Sequence, residues 1–134
     1  MNKIKLCIQM ILIVYLSTAC LHTFKVIHSV WNMATSILVV TPQNSFGSMI
    51  RSSLEETGHF HVFTAEDEQA AYVQLKNVDC EMAFLDVDLG VEEVLKIGRA
   101  IRASDADAEL VIVSDEDPPS ALYEIRPWTL LRKP

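Results

Sequence analysis

The sequence predicts an α/β fold built on a doubly wound, five-stranded parallel sheet. From Ser36 onward, apolar runs of strand length alternate with stretches in which apolar residues recur at helical spacing. The runs are rich in Val, Ile and Leu with little polar alternation, which is typical of parallel strands that are buried on both faces. Five runs separated by four helical stretches therefore predict right-handed crossovers that place helices on both faces of one sheet.

Local signals bound the predicted elements. Asn44-Ser45 offers an N-cap for the first helix, and Gly58 ends it. Gly90 precedes a helix with an apolar stripe, and Pro118-Pro119 can open a short helix because proline is tolerated in a first turn. The predicted strands are 36–40, 60–64, 82–86, 110–113 and 128–131. The predicted helices are the stretch between the Asn44-Ser45 cap and Gly58, then 66–76, the stretch after Gly90, and 118–125.

The charges divide the chain into two regions. Residues 1–33 contain three lysines and no acid, whereas the remaining residues contain all 18 acids, and the whole chain has a formal net charge of −7. Phosphate backbones are bound through clustered Lys and Arg. The acidic region, taken as one domain over residues 35–134, is therefore not expected to bind nucleic acid.

Functional side chains follow three of the predicted strands. Asp86 ends the third strand, Ser114 follows the fourth, and Lys133 follows the fifth. In open α/β sheets, ligands and chemistry gather at the carboxyl ends of the strands. We therefore expect an acid, a hydroxyl and an ammonium group to meet at one edge of the sheet.

This ordered trio, with Pro134 after the lysine, resembles the receiver (CheY-like) domain of two-component response regulators. The resemblance implies a flavodoxin-like strand order of 2-1-3-4-5 and a cytoplasmic signalling module that is not an enzyme. It implies phosphorelay, with Asp86 as the phosphoacceptor and Ser114 and Lys133 as the residues that read the phosphoryl group. A histidine kinase or another signalling protein would dock on the face formed by residues 114–132.

Two features depart from the family pattern. The family holds Mg²⁺ with the acceptor aspartate and an acidic pair after the first strand, but Thr41 and Pro42 stand at those positions. Asp86 and Asp88 would then be the only carboxylate ligands, which makes a weak site for an ion that requires six oxygen ligands. The family's last helix, after the lysine-proline pair, is also missing. Part of residues 6–31, or a second copy in a homodimer, is expected to cover the sheet face that this helix would occupy.

Each site residue also has a structural interpretation. Asp86 can be a solvated acid at a strand end, and Asp88 can be an acid favoured near the start of the following helix. Ser114 can be a turn residue, and Lys133 an ordinary terminal cation. These interpretations stay open from the sequence alone.

Two other function classes compete with phosphorelay. The first is a pseudo-receiver, which keeps the fold and acts through protein contacts without phosphorylation, and the replacement of both acids at positions 41 and 42 favours it. The second is a fragment of a haloacid-dehalogenase-type phosphatase, because Asp86-x-Asp88 after an apolar strand looks like the first motif of that family. Leu89 stands before Gly90 and interrupts that motif.

The N-terminal region, residues 1–33, has three interpretations. The nineteen residues from Leu6 to Phe24 carry no formal charge, which is close to the length of about 20 that spans a bilayer. The same stretch also resembles a signal segment, and a start of translation at Met33 would remove it altogether. Lysines at positions 3 and 5 favour a cytoplasmic N-terminus, which would export the acidic domain if the segment spans.

Overall fold

The computed structural model describes residues 34–134 of the chain. The predictions for residues 1–33, which are the membrane helix over 6–24, the signal-like segment, the start at Met33 and the covering helix from 6–31, lie outside the described residues. Within residues 34–134, none of the helices is both long and apolar enough to cross a bilayer.

The described residues form a five-stranded sheet in which every neighbouring pair of strands is parallel. Its order is β2-β1-β3-β4-β5, so the predicted fold class and strand order are confirmed. Each predicted strand is found within one residue of its expected bounds. The strands are β1 (Thr35–Val40), β2 (Phe60–Ala65), β3 (Met82–Asp86), β4 (Glu109–Ser114) and β5 (Thr129–Arg132).

Three α-helices and two short 3₁₀ helices, over Val87–Leu89 and Ser120–Ile125, connect these strands. The α-helices are α1 (Asn44–Glu55), α2 (Glu68–Asn77) and α3 (Val91–Ser104). Helix α2 begins two residues later than predicted because the Asp67 carboxylate accepts the Ala70 backbone N–H at 2.8 Å and fixes the start there. The predicted cap at Asn44-Ser45 is wrong. Gln43 is the N-cap of α1, and its side chain makes no capping hydrogen bond.

The segment between β4 and β5 is a 3₁₀ helix over Ser120–Ile125 and not an α-helix. Two prolines precede it, and proline supplies no backbone N–H for an α-helical ladder. Arg126 follows at φ 51°, a left-handed conformation that ends the helical turn. Ile125 packs so closely on α3 that a Cβ atom added at Gly98 would lie 2.6 Å from its Cδ1 atom.

The two faces of the sheet are packed differently. Helices α2 and α3 and the 3₁₀ helix over Ser120–Ile125 cover one face, where the largest buried cluster includes Leu85, Ile97, Leu110 and Ile112. Within the described residues, α1 supplies the packing on the opposite face through Phe46, which lies on β4. Strand β5 differs from the other strands because all four of its residues are exposed. No helix follows β5 within residues 34–134.

Candidate functional site

The carboxyl ends of β1, β3 and β5 bring together residues that are far apart in the sequence. Thr41 directly follows β1, Asp86 is the last residue of β3, and Lys133 directly follows β5. The parallel register places these ends at the same edge of the sheet. Backbone hydrogen bonds extend the sheet at this edge, since Thr41 donates its N–H to the Ala65 carbonyl and Lys133 donates its N–H to the Ser114 carbonyl, both at 3.0 Å.

Asp86 is the buried acid of this edge, with 1% of its surface exposed. Its Oδ2 atom accepts the Thr41 hydroxyl at 2.7 Å and lies 2.9 Å from the Lys133 ammonium nitrogen. Its Oδ1 atom accepts the backbone N–H of Asp88 at 2.9 Å. Both carboxylate oxygens therefore have hydrogen-bond partners inside the protein, as a buried charge requires.

Lys133 bridges two carboxylates. Its Nζ atom lies 2.9 Å from Asp86 Oδ2 and 2.6 Å from Asp88 Oδ2, and only 5% of its side chain is exposed. The ammonium also lies 5.7 Å from the centroid of the Phe46 ring, within the range of a cation–π interaction. Burial by itself lowers the pKa of Lys133, but the hydrogen bonds and negative charges of Asp88 and Asp86 outweigh it, so the pKa is raised above its usual value of 10.5.

Thr41 is oriented by the backbone that follows it. Its Oγ1 atom accepts the Gln43 N–H at 3.1 Å, so its own hydrogen is free to point at Asp86. The residue is 3% exposed, and its methyl group packs against Gly47 of α1, which has no side chain. A Cβ atom added at Gly47 would lie 3.2 Å from Thr41 Cγ2, which is tighter than usual contact. The glycine therefore helps to admit the threonine.

Asp88 and Gln43 form the outer part of the site. Asp88 lies in a 3₁₀ turn over Val87–Leu89, and its side chain is 42% exposed. Its Oδ2 atom accepts the Gln43 side-chain amide at 3.1 Å in addition to the Lys133 ammonium. Gly90 ends the turn at φ 110°, a conformation that only glycine adopts without strain. The polar contacts thus link the loop after β1, the loop after β3 and the end of β5.

Ser114 and Pro42, the other residues singled out from the sequence, stand apart from these contacts. The Ser114 hydroxyl accepts the Glu116 backbone N–H at 3.3 Å, which is the contact of a turn residue. Among residues 34–134, no hydrogen bond joins the Ser114 side chain to Asp86. Pro42 is exposed. The role of Ser114 as a reader of a phosphoryl group stays a prediction.

The residues of this edge do not fit the magnesium ion that the resemblance implies. Mg²⁺ needs oxygen lone pairs in a near-octahedral array, but the groups around Asp86 are the donors of Thr41, Lys133 and the Asp88 backbone. Within the described part of the chain, no group of three or more His, Cys, Asp or Glu side chains is placed to hold a metal ion. The two carboxylates that were expected as weak ligands are instead joined by an ammonium group.

The contributions of Thr41 and Gln43 were not predicted from the sequence. Position 41 was interpreted only as a lost carboxylate, whereas in the structure the Thr41 hydroxyl donates a hydrogen bond to Asp86. The signal was present in the residue type, because threonine is the kind of hydroxyl donor that a buried strand-end acid can use. The Gln43 contact joins residues that are 45 positions apart, and no local pattern indicates it.

Comparisons with known proteins identify the fold. No protein-family model matches the sequence, and no curated protein matches it significantly. Among solved structures, the chain is similar to a response regulator from Thermotoga maritima at 25% sequence identity and a TM-score of 0.65, over 76% of this chain and 87% of that chain. It is similar to the chemotaxis protein CheY4 of Vibrio cholerae at 20% identity and a TM-score of 0.68, over 75% of this chain and 88% of that chain.

A third similar structure is the response regulator TrrA from Thermotoga maritima in complex with Mg²⁺-BeF, at 21% identity and a TM-score of 0.64. This likeness covers 75% of the chain and 87% of TrrA. With five parallel strands in the order β2-β1-β3-β4-β5, the described domain has the CheY-like fold of response regulator receiver domains.

Proposed function

We propose that this domain is a receiver-type module of two-component signalling that acts through protein contacts and not through phosphorylation of Asp86. The observation that carries the proposal is the closed state of the Asp86 carboxylate. It is 1% exposed, and both of its oxygens accept hydrogen bonds from within the domain. A pseudo-receiver of this kind is a signalling module with no enzyme activity of its own.

The chemistry of phosphoryl transfer explains why a closed carboxylate matters. A carboxylate attacks phosphorus only if the incoming group can approach in line and its charge is neutralised. Here Asp86 Oδ2 is held by Thr41 and Lys133, and the two positions after β1 supply no acid to hold a metal ion. An incoming phosphoryl group would need to displace these contacts and would approach the negative charge of Asp88. The geometry therefore favours contact signalling over phosphoryl acceptance.

The surface proposed for contact is the region of residues 114–132. It exposes four large apolar side chains, and a contiguous exposed apolar surface often marks a site of protein contact. Another signalling protein, such as a histidine kinase, is the proposed partner in the cytoplasm, and nucleic acid is not. A homodimer through the same surface is a further outcome that this exposure allows. The four side chains are Tyr123 (57% exposed), Trp128 (65%), Leu130 (40%) and Leu131 (43%).

The similar structures support this placement in signalling. They are response regulators, a chemotaxis protein, and a signal receiver domain of two-component signal transduction from Clostridium thermocellum. None of these three is named as a phosphatase. The phosphatase-fragment interpretation of Asp86-x-Asp88 therefore gains no support from these likenesses.

Phosphoryl acceptance at Asp86 is the second candidate function, and one observation favours it. The structure brings Asp86 and Lys133, two of the three residues expected to meet, to within 2.9 Å of each other. A similar structure from Burkholderia pseudomallei carries a phosphorylated aspartic acid and a calcium ion. In this alternative, Asp86 would accept the group, and Ser114 and Lys133 would read it.

Intact-mass measurement separates the two candidates. The purified chain and its Asp86→Ala variant are incubated with acetyl phosphate, a small-molecule phosphodonor, with and without Mg²⁺. Contact signalling predicts that neither protein gains the mass of a phosphoryl group, with a known receiver in the same reaction as a positive control. A gain in the wild-type protein that the Asp86→Ala variant lacks would contradict the proposal and support the second candidate.

A further inference from the structure

We propose that the Lys133 ammonium is a built-in cation that takes the place of a divalent metal ion between Asp86 and Asp88, so that the domain neither needs nor binds Mg²⁺. The proposal deepens the proposed function, on which it rests, by naming what controls the closed carboxylate. The relevant geometry is the position of one nitrogen atom, 2.9 Å from Asp86 Oδ2 and 2.6 Å from Asp88 Oδ2.

The ammonium is enclosed on several sides. Its side chain is 5% exposed, and the face of the Phe46 ring lies 5.7 Å from the nitrogen. An ammonium has three donors and no acceptor, so two of its donors can serve the two carboxylates at once. The backbone N–H of the same residue is held by the Ser114 carbonyl at 3.0 Å, which continues the β4–β5 pairing. The cation is therefore fixed by the sheet itself.

The neighbouring groups complete a set of contacts that excludes a metal ion. Thr41 Oγ1 uses a lone pair on the Gln43 N–H and its hydrogen on Asp86, so it presents a donor to the site. The Gln43 side-chain amide presents another donor to Asp88 Oδ2. A Mg²⁺ ion requires about six oxygen ligands at 2.0–2.1 Å and gives up its waters reluctantly. An ion entering here would meet donors and a fixed positive charge.

The charges of the site explain why one ammonium group is sufficient to neutralise the buried carboxylate. Asp86 and Asp88 carry two negative charges, and Lys133 neutralises one of them. The buried carboxylate is the one that needs a partner, because Asp86 is 1% exposed whereas the Asp88 side chain is 42% exposed and can be solvated by water. Removing the ammonium would leave two facing carboxylates, which is an arrangement that attracts divalent cations.

The test compares thermal unfolding in EDTA and in millimolar MgCl₂ for three proteins: wild type, Lys133→Met and Arg132→Met. The Met substitution keeps most of the side-chain length and removes the charge. Arg132 is the matched control, because it is the adjacent cation, is exposed, and pairs with the fully exposed Asp117. CaCl₂ is used in parallel, since Ca²⁺ accepts a more flexible set of oxygen ligands.

We expect Mg²⁺ to leave the Tm of wild type and of Arg132→Met unchanged. Lys133→Met should unfold about 10 °C or more below wild type in EDTA, because a buried ion pair has lost one partner, and Mg²⁺ or Ca²⁺ should recover part of that loss. If Lys133→Met is unfolded in EDTA, the same readout is refolding on addition of the cation, followed by circular dichroism.

Two results would overturn the proposal. One is a Mg²⁺-dependent rise in the Tm of wild type that Asp86→Asn abolishes, because the wild-type site would then bind the metal. The other is a Lys133→Met protein that responds to neither cation. These outcomes are distinct from a failure of the proposed function. A phosphoryl mass gain on Asp86 without Mg²⁺ would contradict contact signalling but agree with Lys133 as the built-in cation. Mg²⁺ binding without a mass gain would contradict the built-in cation but agree with contact signalling.

Discussion

Two regions of the sheet, the carboxyl end of β3 and strand β5, differ in which side chains they bury. At the carboxyl end of β3, an acid and a lysine are almost fully buried, with Asp86 1% and the Lys133 side chain 5% exposed. Along β5, apolar side chains are open to solvent, with Leu130 40% and Leu131 43% exposed. Charged groups are usually outside and large apolar groups inside, so each region reverses the common distribution.

The two regions differ in what they leave available to a partner molecule. A buried charge is tolerated only when its hydrogen bonds are complete, and no buried side-chain nitrogen or oxygen in the described residues lacks a partner. The charged region is thus closed and satisfied, whereas the apolar region has area that a partner could cover. This difference in exposure supports the proposed function through protein contacts.

The largest expected effect on stability is the difference between truncating a buried aromatic residue near the carboxyl end of β3 and truncating an exposed one beside β5. Phe46 is 8% exposed and packs on Val111 and Val113 beneath the Lys133 ammonium, whereas Trp128 is 65% exposed beside β5. Phe46→Ala should lower the free energy of unfolding by about 3–5 kcal/mol, and Trp128→Ala should lower it by less than about 1 kcal/mol. Urea unfolding measures both. Equal losses would show that the two regions are packed alike.

A smaller loss is expected when the closed region loses one hydrogen bond. Thr41→Val keeps the side-chain shape but removes the donor to Asp86 Oδ2, which leaves a buried carboxylate with one partner fewer. We expect the free energy of unfolding to fall by about 1–3 kcal/mol in urea. Thr57→Val is the matched control, because the Thr57 hydroxyl donates to the Leu54 carbonyl at an exposed site. A loss in the control as large as that in Thr41→Val would contradict the closed site.

The pH dependence of stability sharpens the same contrast. The pKa of Lys133 is raised in the folded domain above its ordinary value of 10.5, because the bonds to Asp88 and Asp86 outweigh the effect of burial. The unfolded chain therefore releases this proton first as the pH rises, so the stabilisation is fully present below pH 10.5 and is lost above it, through the folded pKa. High pH should lower the free energy of unfolding by less than replacing Lys133 does. The pH effect depends only on the difference between the pKa of Lys133 in the folded domain and in the unfolded chain.

The measurement is urea unfolding of wild type and Lys133→Met from neutral to alkaline pH. The difference in unfolding free energy between them should be constant at neutral pH and should shrink in the alkaline range. Comparing the two proteins cancels the titration of groups that they share. A difference that stays constant throughout the alkaline range would show that Lys133 does not titrate with a raised pKa.

The smallest effect is expected on the exposed strand. Leu131 pairs with Val113 in the sheet, so the two side chains share a face, but Leu131 is 43% and Val113 1% exposed. Leu131→Gln should change the free energy of unfolding by no more than about 0.5 kcal/mol, whereas Val113→Thr should cost about 1–3 kcal/mol because it buries a hydroxyl. Urea unfolding again compares them. A large loss in Leu131→Gln would mean that this residue belongs to the core.

The sequence predicted the strands well for a physical reason. Continuous apolar runs such as Leu110 to Val113 leave few alternatives to a buried parallel strand, and their ends carry the charges. The short helix after Pro118-Pro119 was predicted through Ile125, but its 3₁₀ form depends on the left-handed Arg126 and on the packing of Ile125 against Gly98. Neither of those can be read from local spacing.

The candidate site was accessible to sequence reasoning only in part. Strand ends at one edge correctly indicated that Asp86 and Lys133 would come together. The hydrogen bonds that Thr41 and Gln43 make to Asp86 and Asp88 depend on distances across 45 residues and on the rotamer of each side chain. Thr41, which was interpreted only as a lost carboxylate, donates a hydrogen bond to Asp86 in the structure.

Nuclear magnetic resonance can show whether Asp86 is closed to a phosphoryl group, as we propose. Backbone ¹H–¹⁵N spectra of the isotope-labelled chain are recorded before and after addition of Mg²⁺ and beryllofluoride, the pair bound in the TrrA structure. We expect no change in the amide signals of Asp88, Gly90 and Ser114, which lie near the carboxyl end of β3. Saturable shifts of these signals that disappear in Asp86→Ala would contradict this expectation.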